Sequence, residues 1–118
     1  MYDTRPFAPL YNPTVPGGAA GTCEDSVVVA ASTAAADSAV FPGTTGNNFT
    51  QIQINNEAIA TAHVNFGVFG AVVPATANSY PVAGLSVVVV TVNPEVNGAS
   101  VILDAGTGNV IFTRGCGT

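Results

Sequence analysis

Ala60-Thr61-Ala62-His63-Val64-Asn65-Phe66 alternates small or apolar residues with polar ones at every step. A period of two places Ala60, Ala62, Val64 and Phe66 on one face of an extended chain and Thr61, His63 and Asn65 on the other. That is the pattern of a half-buried β-strand. Upstream, Asn48-Phe-Thr-Gln-Ile-Gln-Ile54 ends with Ile52 and Ile54 on one side and Gln51 and Gln53 on the other, and Asn55-Asn56 reads as the turn that follows. Ser26 to Ala31 and Ala39 to Phe41 are short apolar runs, the second ended by Pro42-Gly43. Leu85 to Val92 is the strongest run and the one that fails to alternate: with Val88, Val90 and Val92 inward, Val87 and Val89 point out beside Thr91. Two outward valines on such a strand imply a second cover, from another strand, an arm or a partner subunit. Val101 to Leu103 and Val110 to Thr113 flank Asp104 to Asn109, read as a Gly-rich hairpin connection in which the glycines supply positive φ.

Composition points the same way. The chain has 118 residues, room for one domain with a real core. Good helix formers other than Ala are scarce, Val and Thr are abundant, and Gly 13 and Pro 8 punctuate short runs. The fold expected is all-β: an antiparallel β-sandwich or jelly roll of seven to eight short strands. A helical turn within Ala30 to Ala36 is the one local alternative.

Residues 1–21 differ from the rest. Pro6, Pro9, Pro13 and Pro16 exclude helix and favour extended chain, while Tyr2, Phe7, Leu10 and Tyr11 are unlike a flexible spacer. This stretch reads as an extended N-terminal arm that docks on something, or as a plain disordered terminus. Residues 22–118 then form the sandwich domain.

Charge is the second constraint. Only Arg5 and Arg114 are cationic, Lys is absent, and charged residues make up 8%, against about 25% in a typical soluble domain. An exterior of Ser, Thr, Asn, Gly, Ala and exposed apolar groups is suited to being covered by a partner, and a homo-oligomer, dimer or trimer, is expected. A net charge of -5 argues against direct binding to nucleic acid or to an anionic membrane. No stretch approaches the roughly 18 apolar residues of a membrane-spanning helix. The first residues lack the basic start and apolar core of a signal peptide, so synthesis in a cytoplasm is expected.

Few residues could carry chemistry. His63 is the sole histidine, and its strand parity turns it outward, with no acid nearby in sequence but Glu57. It reads as a solvent-exposed or interface residue rather than a base with an orienting partner. Seven carboxylates show no calcium-loop spacing. Gly106-Thr-Gly108 lacks the Lys and the helix of a phosphate loop. Cys23 and Cys116 lie near the two ends and are read as free thiols or, alternatively, as a disulfide joining the first and last strands. No catalytic residue, metal site or cofactor is expected.

Ile52-Gln-Ile-Asn-Asn56, His63-Val-Asn-Phe-Gly67, Tyr80-Pro-Val-Ala-Gly84 and Gly106-Thr-Gly-Asn-Val-Ile-Phe-Thr-Arg-Gly-Cys-Gly117 together resemble small tailed-bacteriophage capsid decoration and cement proteins. The resemblance covers roughly residues 50–117 and departs where Glu57 stands in place of a Gly expected after Asn55-Asn56. It implies a β-sandwich or jelly-roll virion protein that bridges neighbouring major capsid proteins on the capsid surface. It implies no catalytic residues. On that reading the grip is Tyr2, Arg5, Phe7, Leu10 and Tyr11 of the arm, with Val87 and Val89 on the domain. The competing reading is a carbohydrate-binding module of a tail fibre or other adhesin, with Phe69, Tyr80 and the Asn47-Asn48 loop as its sugar contacts.

Overall fold

The structure, a computed structural model, describes residues 26–39, 41, 51–93 and 95–115. These residues form no helix and eight strands: β1 (Ser26–Ala31), β2 (Ala36–Asp37), β3 (Gln51–Asn56), β4 (Ala62–Gly67), β5 (Tyr80–Val82), β6 (Ser86–Thr91), β7 (Gly98–Leu103) and β8 (Gly108–Gly115). They make two antiparallel four-stranded sheets, β1-β8-β3-β6 and β2-β7-β4-β5. Successive strands change sheet at every connection except the one from β4 to β5. This order is that of the eight-stranded jelly roll.

The topology corrects several local readings. Asn55 and Asn56 are not a turn, because both lie in β3 and pair with Val87 and Ser86 of β6. Asp104 to Thr107 is not a hairpin either, since β7 and β8 belong to different sheets. Composition marks a turn but not whether it returns within its sheet or crosses to the other. The strand expected at Ala39 to Phe41 sits earlier, at Ala36–Asp37. Ser38 is the reason for the short pairing: its hydroxyl accepts from Ala99 N at 2.9 Å in place of a backbone carbonyl. The chain nevertheless continues along β7, with Phe41 N donating to Asn97 O at 2.8 Å. No helical turn forms between Ala30 and Ala36.

Alternation fills the space between the sheets. Val27, Val29, Ile52, Ile54, Val90, Val110 and Phe112 face Ala62, Val64, Val82, Val101 and Leu103. Phe112 stacks on Phe41 with ring centroids 5.5 Å apart and meets the edge of Phe66 at 6.0 Å, both favoured aromatic geometries. Arg114 shares the inward parity of Phe112 and is 1% exposed, capping the core where Nη1 donates to Val96 O at 2.6 Å. Burial pushes its guanidinium below the ordinary arginine pKa.

Asn56, fully buried, ends β3 and ties four segments together. Its Nδ2 donates to Ala60 O (3.0 Å), Val82 O (3.1 Å) and Ala83 O (3.2 Å), and its Oδ1 accepts from Ala58 N (3.0 Å). Two protons serve three carbonyls, so one bond is shared. Asn56→Ala should destabilise by about 3 kcal/mol in chemical denaturation, because buried carbonyls and one amide lose their partner. Asn56→Asp, equal in shape but without the donors, should destabilise at least as much. A wild-type midpoint for either would refute the hub role.

Candidate docking surface

Three outward polar residues of the β2-β7-β4-β5 sheet, His63, Asn65 and Ser100, are wholly or partly covered, whereas Asp37 is exposed. The long connection from β4 to β5, residues 68–79, folds back over the first three. Asn65 Nδ2 donates to Val73 O and Pro74 O at 3.1 and 3.3 Å, and the buried Ser100 Oγ accepts from Ala75 N at 2.9 Å. His63 Nδ1 lies 3.2 Å from Ser79 O, and its Nε2 lies 2.9 Å from Asp104 Oδ1. His63 is therefore buried rather than exposed, which corrects the reading of its strand parity as solvent-facing. Its orienting acid is Asp104, invisible to a search along the sequence because it arrives from the far end of β7. Both ring nitrogens are occupied by protein oxygens, so neither is left for a substrate.

What this connection shows to solvent is mostly apolar, with Thr76 and Asn78 as its exposed polar residues. Val68 is 52%, Phe69 50% and Val73 69% exposed, and residues 68–79 carry no charge. Phe69 N is fixed by Asn97 Oδ1 at 2.6 Å and Ala71 N by Val68 O at 2.9 Å. The segment is thus held by hydrogen bonds on one side while presenting hydrophobic groups on the other.

The outer face of the other sheet carries no charged side chain among the described residues. Across it run two rows, Val87, Asn55, Ile111 and Val28, then Val89, Gln53, Thr113 and Ser26, in the order β6-β3-β8-β1. Val28 and Val87 are more than half exposed, whereas Val89 and Ile111 are half-buried. Gln51 shares the outward parity yet is fully buried. The described carboxylates all lie elsewhere: Asp37 on the opposite sheet, Glu57, Glu95 and Asp104 in connections between strands. Val87 and Val89 are thus placed outward, as the failed alternation of β6 indicated.

At one end of the sandwich the connections 57–61 and 83–85 form an apex. Leu85 N donates to Ala58 O at 2.9 Å, and Ser86 Oγ to Ala83 O at 2.6 Å. The two backbones touch so closely that a Cβ on Gly84 would fall 1.9 Å from Ile59 O. On this apex stand Ile59, 87% exposed, and Leu85, 71% exposed. Leu85 also has φ 53°, a conformation that costs a Leu roughly 1 kcal/mol and that Gly or Asn would adopt more easily. Neither backbone geometry nor solvation favours a leucine here. Hydropathy alone assigns Leu85 to the following strand and passes over Ile59, whose neighbours show no periodicity.

Along the edge shared by β5 and β6, a shallow pocket of about 160 Å³ opens between the sheets, lined by Phe66, Tyr80, Val90, Thr91 and Val92. Among the described residues β5 pairs only with Ala62, His63 and Val64, leaving the Phe66 end of β4 and the Val90 end of β6 unflanked there. Ligand pockets for small molecules run to about 300 Å³ and more. This one is the size of a single side chain.

Tyr2, Arg5, Phe7, Leu10, Tyr11, Cys23, Cys116 and Asn47-Asn48 lie outside the described residues, as does the boundary between arm and domain. Phe69 and Tyr80 sit on opposite sides of their sheet and do not form one stacking platform. Among the described residues no three His, Cys, Asp or Glu side chains gather into a metal-binding group, and no helix is long and apolar enough to cross a membrane. Comparison with protein families, with curated proteins and with solved structures finds no match.

Two substitutions probe the two supports. Ser100→Ala should speed exchange of the Ala75 amide by about tenfold or more while lowering global stability by only about 1–2 kcal/mol. Unchanged protection at Ala75 would mean that the 68–79 connection is held by other means. Gly84→Ala should destabilise by about 3 kcal/mol, since a methyl group must displace backbone; a wild-type denaturation midpoint would show that the apex yields.

Proposed function

We propose that this chain is a structural subunit of a larger protein assembly, and specifically that it decorates and cements a bacteriophage capsid by bridging neighbouring major capsid proteins. The observation that carries the reading is the uncharged outer face of the β1-β8-β3-β6 sheet, continuous through Val87 with the exposed Leu85 and Ile59. A surface of this kind gains by being covered: each Val, Leu or Ile withdrawn from water contributes about 1.5–3 kcal/mol. Jelly rolls recur in viral capsids, and also in lectins and cupins, so the fold is compatible with the reading without deciding it. The resemblance of residues 50–117 to capsid decoration proteins supports the choice among these.

In this reading the arm is the grip. Ordering each of its residues loses roughly 1–2 kcal/mol, which Tyr2, Phe7, Leu10 and Tyr11 offset by burying large side chains on a capsid protein, with Arg5 as the cation beside them. The domain then rests on the shell through Val87 and Val89. The site of action is the capsid surface, after assembly in the host cytoplasm.

Removing residues 1–16 should leave a folded domain that no longer associates with its particle in gradient sedimentation. In particles purified with the full chain, hundreds of copies per shell are expected. Particles that contain none of the chain, or full-stoichiometry binding by the truncated form, would overturn the capsid role or the arm's part in it, respectively.

A further inference from the structure

The apex and the pocket lie on the same long edge of the sandwich and at opposite ends of it. Leu85 immediately precedes β6, and the pocket's Val90, Thr91 and Val92 close it. Along an extended chain these are separated by about 20 Å. A rotation of 180° about an axis perpendicular to this edge exchanges its two ends. The apex of one copy is thereby brought to the pocket of the other, and the reverse contact is made in the same step.

The two parts match in size and character. A closed apolar cavity of about 150 Å³ admits benzene, so a pocket of about 160 Å³ has room for the four-carbon side chain of a leucine or isoleucine. The lining is Phe, Tyr, Val and one Thr, and residues 80–92 contain no charge, so no ion is stripped of water when two such edges meet. The strand between them, Ser-Val-Val-Val-Val-Thr, is the edge of its sheet among the described strands and carries neither Pro nor a charge, the usual devices that keep edges apart. The Leu85 backbone is fixed by its hydrogen bond to Ala58 in a conformation unfavourable for its residue type, so little backbone freedom remains to be lost on contact.

We propose that two copies of this chain associate edge to edge about a two-fold axis, the Leu85 side chain at the apex of each inserting into the Phe66–Tyr80–Val90–Val92 pocket of the other, with the two β6 strands antiparallel at the centre. The contact is isologous and reciprocal, which closes the assembly at two. It specifies the homo-oligomer that the assembly reading expects, and it can fail without that reading, because a monomer can also decorate a particle.

The experiment is sedimentation equilibrium on the full chain from micromolar to millimolar concentration. The wild type is expected to be dimeric in this range. Leu85→Asp removes the knob at an exposed position that tolerates Asp, and Thr91→Trp closes the rim of the pocket from an exposed position. Each should weaken the dimer by about 10- to 100-fold per lost contact, with melting temperatures close to wild type. Mixed together, the two variants should associate more tightly than either alone, because the Thr91→Trp chain keeps its knob and the Leu85→Asp chain keeps its pocket. A monomeric wild type, a Leu85→Asp dimer of unchanged affinity, or a mixture no tighter than its components would each overturn the inference. Particle binding by a monomeric wild type would overturn it while leaving the docking role intact.

Discussion

A single carboxamide, that of Asn56, holds the end of the molecule on which the docking surface depends. In this jelly roll, four of the seven connections meet at the Asn56 end of the sandwich and cross from one sheet to the other, so their backbone groups cannot pair as they would in a hairpin. Buried polar backbone must nevertheless find partners. Asn56 supplies them: its three donor contacts reach Ala60, Val82 and Ala83, and its oxygen reaches Ala58. The neighbouring connections complete the lattice through Leu103 N to Ser32 O, Asp104 N to Thr61 O and Glu57 N to Asn109 O. Gly108 lets β8 begin against Ala58, where a Cβ would fall 2.5 Å from the alanine methyl. The rigidity of Ile59 and Leu85 follows from these bonds, since each belongs to a segment pinned on both sides.

The same economy explains how a chain so poor in charge arranges its polar groups. Serine, asparagine and histidine side chains that a strand pattern assigns to solvent are used as internal anchors. Ser38 completes the edge of β7, Asn97 fixes Phe69, and Asn65, Ser100 and His63 bind the backbone of residues 73–79. Each such bond adds only about 1 kcal/mol net, but each also withdraws a polar side chain from the exterior. What remains outside is enriched in Val, Ile, Leu and Phe by subtraction.

The longer strands of this fold were legible where one face is core, whereas the short β2 and β5 were not read at their places. The alternation of Ala62 to Phe66 and of Ile52 and Ile54 is borne out position by position, and so is the outward placement of Val87 and Val89. Connectivity was not legible, because Asn, Gly and Asp mark a turn by its backbone needs, and those are alike for a return within a sheet and a crossing between sheets. His63 was misread for a related reason: parity tells which side of the sheet a residue takes, not whether a loop lies over that side. Of the candidate surface, the valines of β6 could be read from a failed alternation. Ile59 and Leu85 could not, since their significance lies in exposure and in a positive φ, neither of which leaves a period in the sequence.

Exposure and strain at Leu85 bear on stability in opposite ways to function. Within an isolated copy, a small or polar residue with access to positive φ would relieve the backbone and hydrate better, so folding alone gives no reason for a leucine. Its usefulness appears only when the side chain leaves water, and then the fixed turn becomes an advantage because the group is already positioned. The pocket on the same edge has the complementary history: β5 stops after three residues, leaving part of the core wall bare at a small loss of burial to the single copy. In the proposed dimer these two local departures from the most stable fold, one protruding and one recessed, would meet their counterparts on a second copy at once, and the strand that joins them sets their spacing.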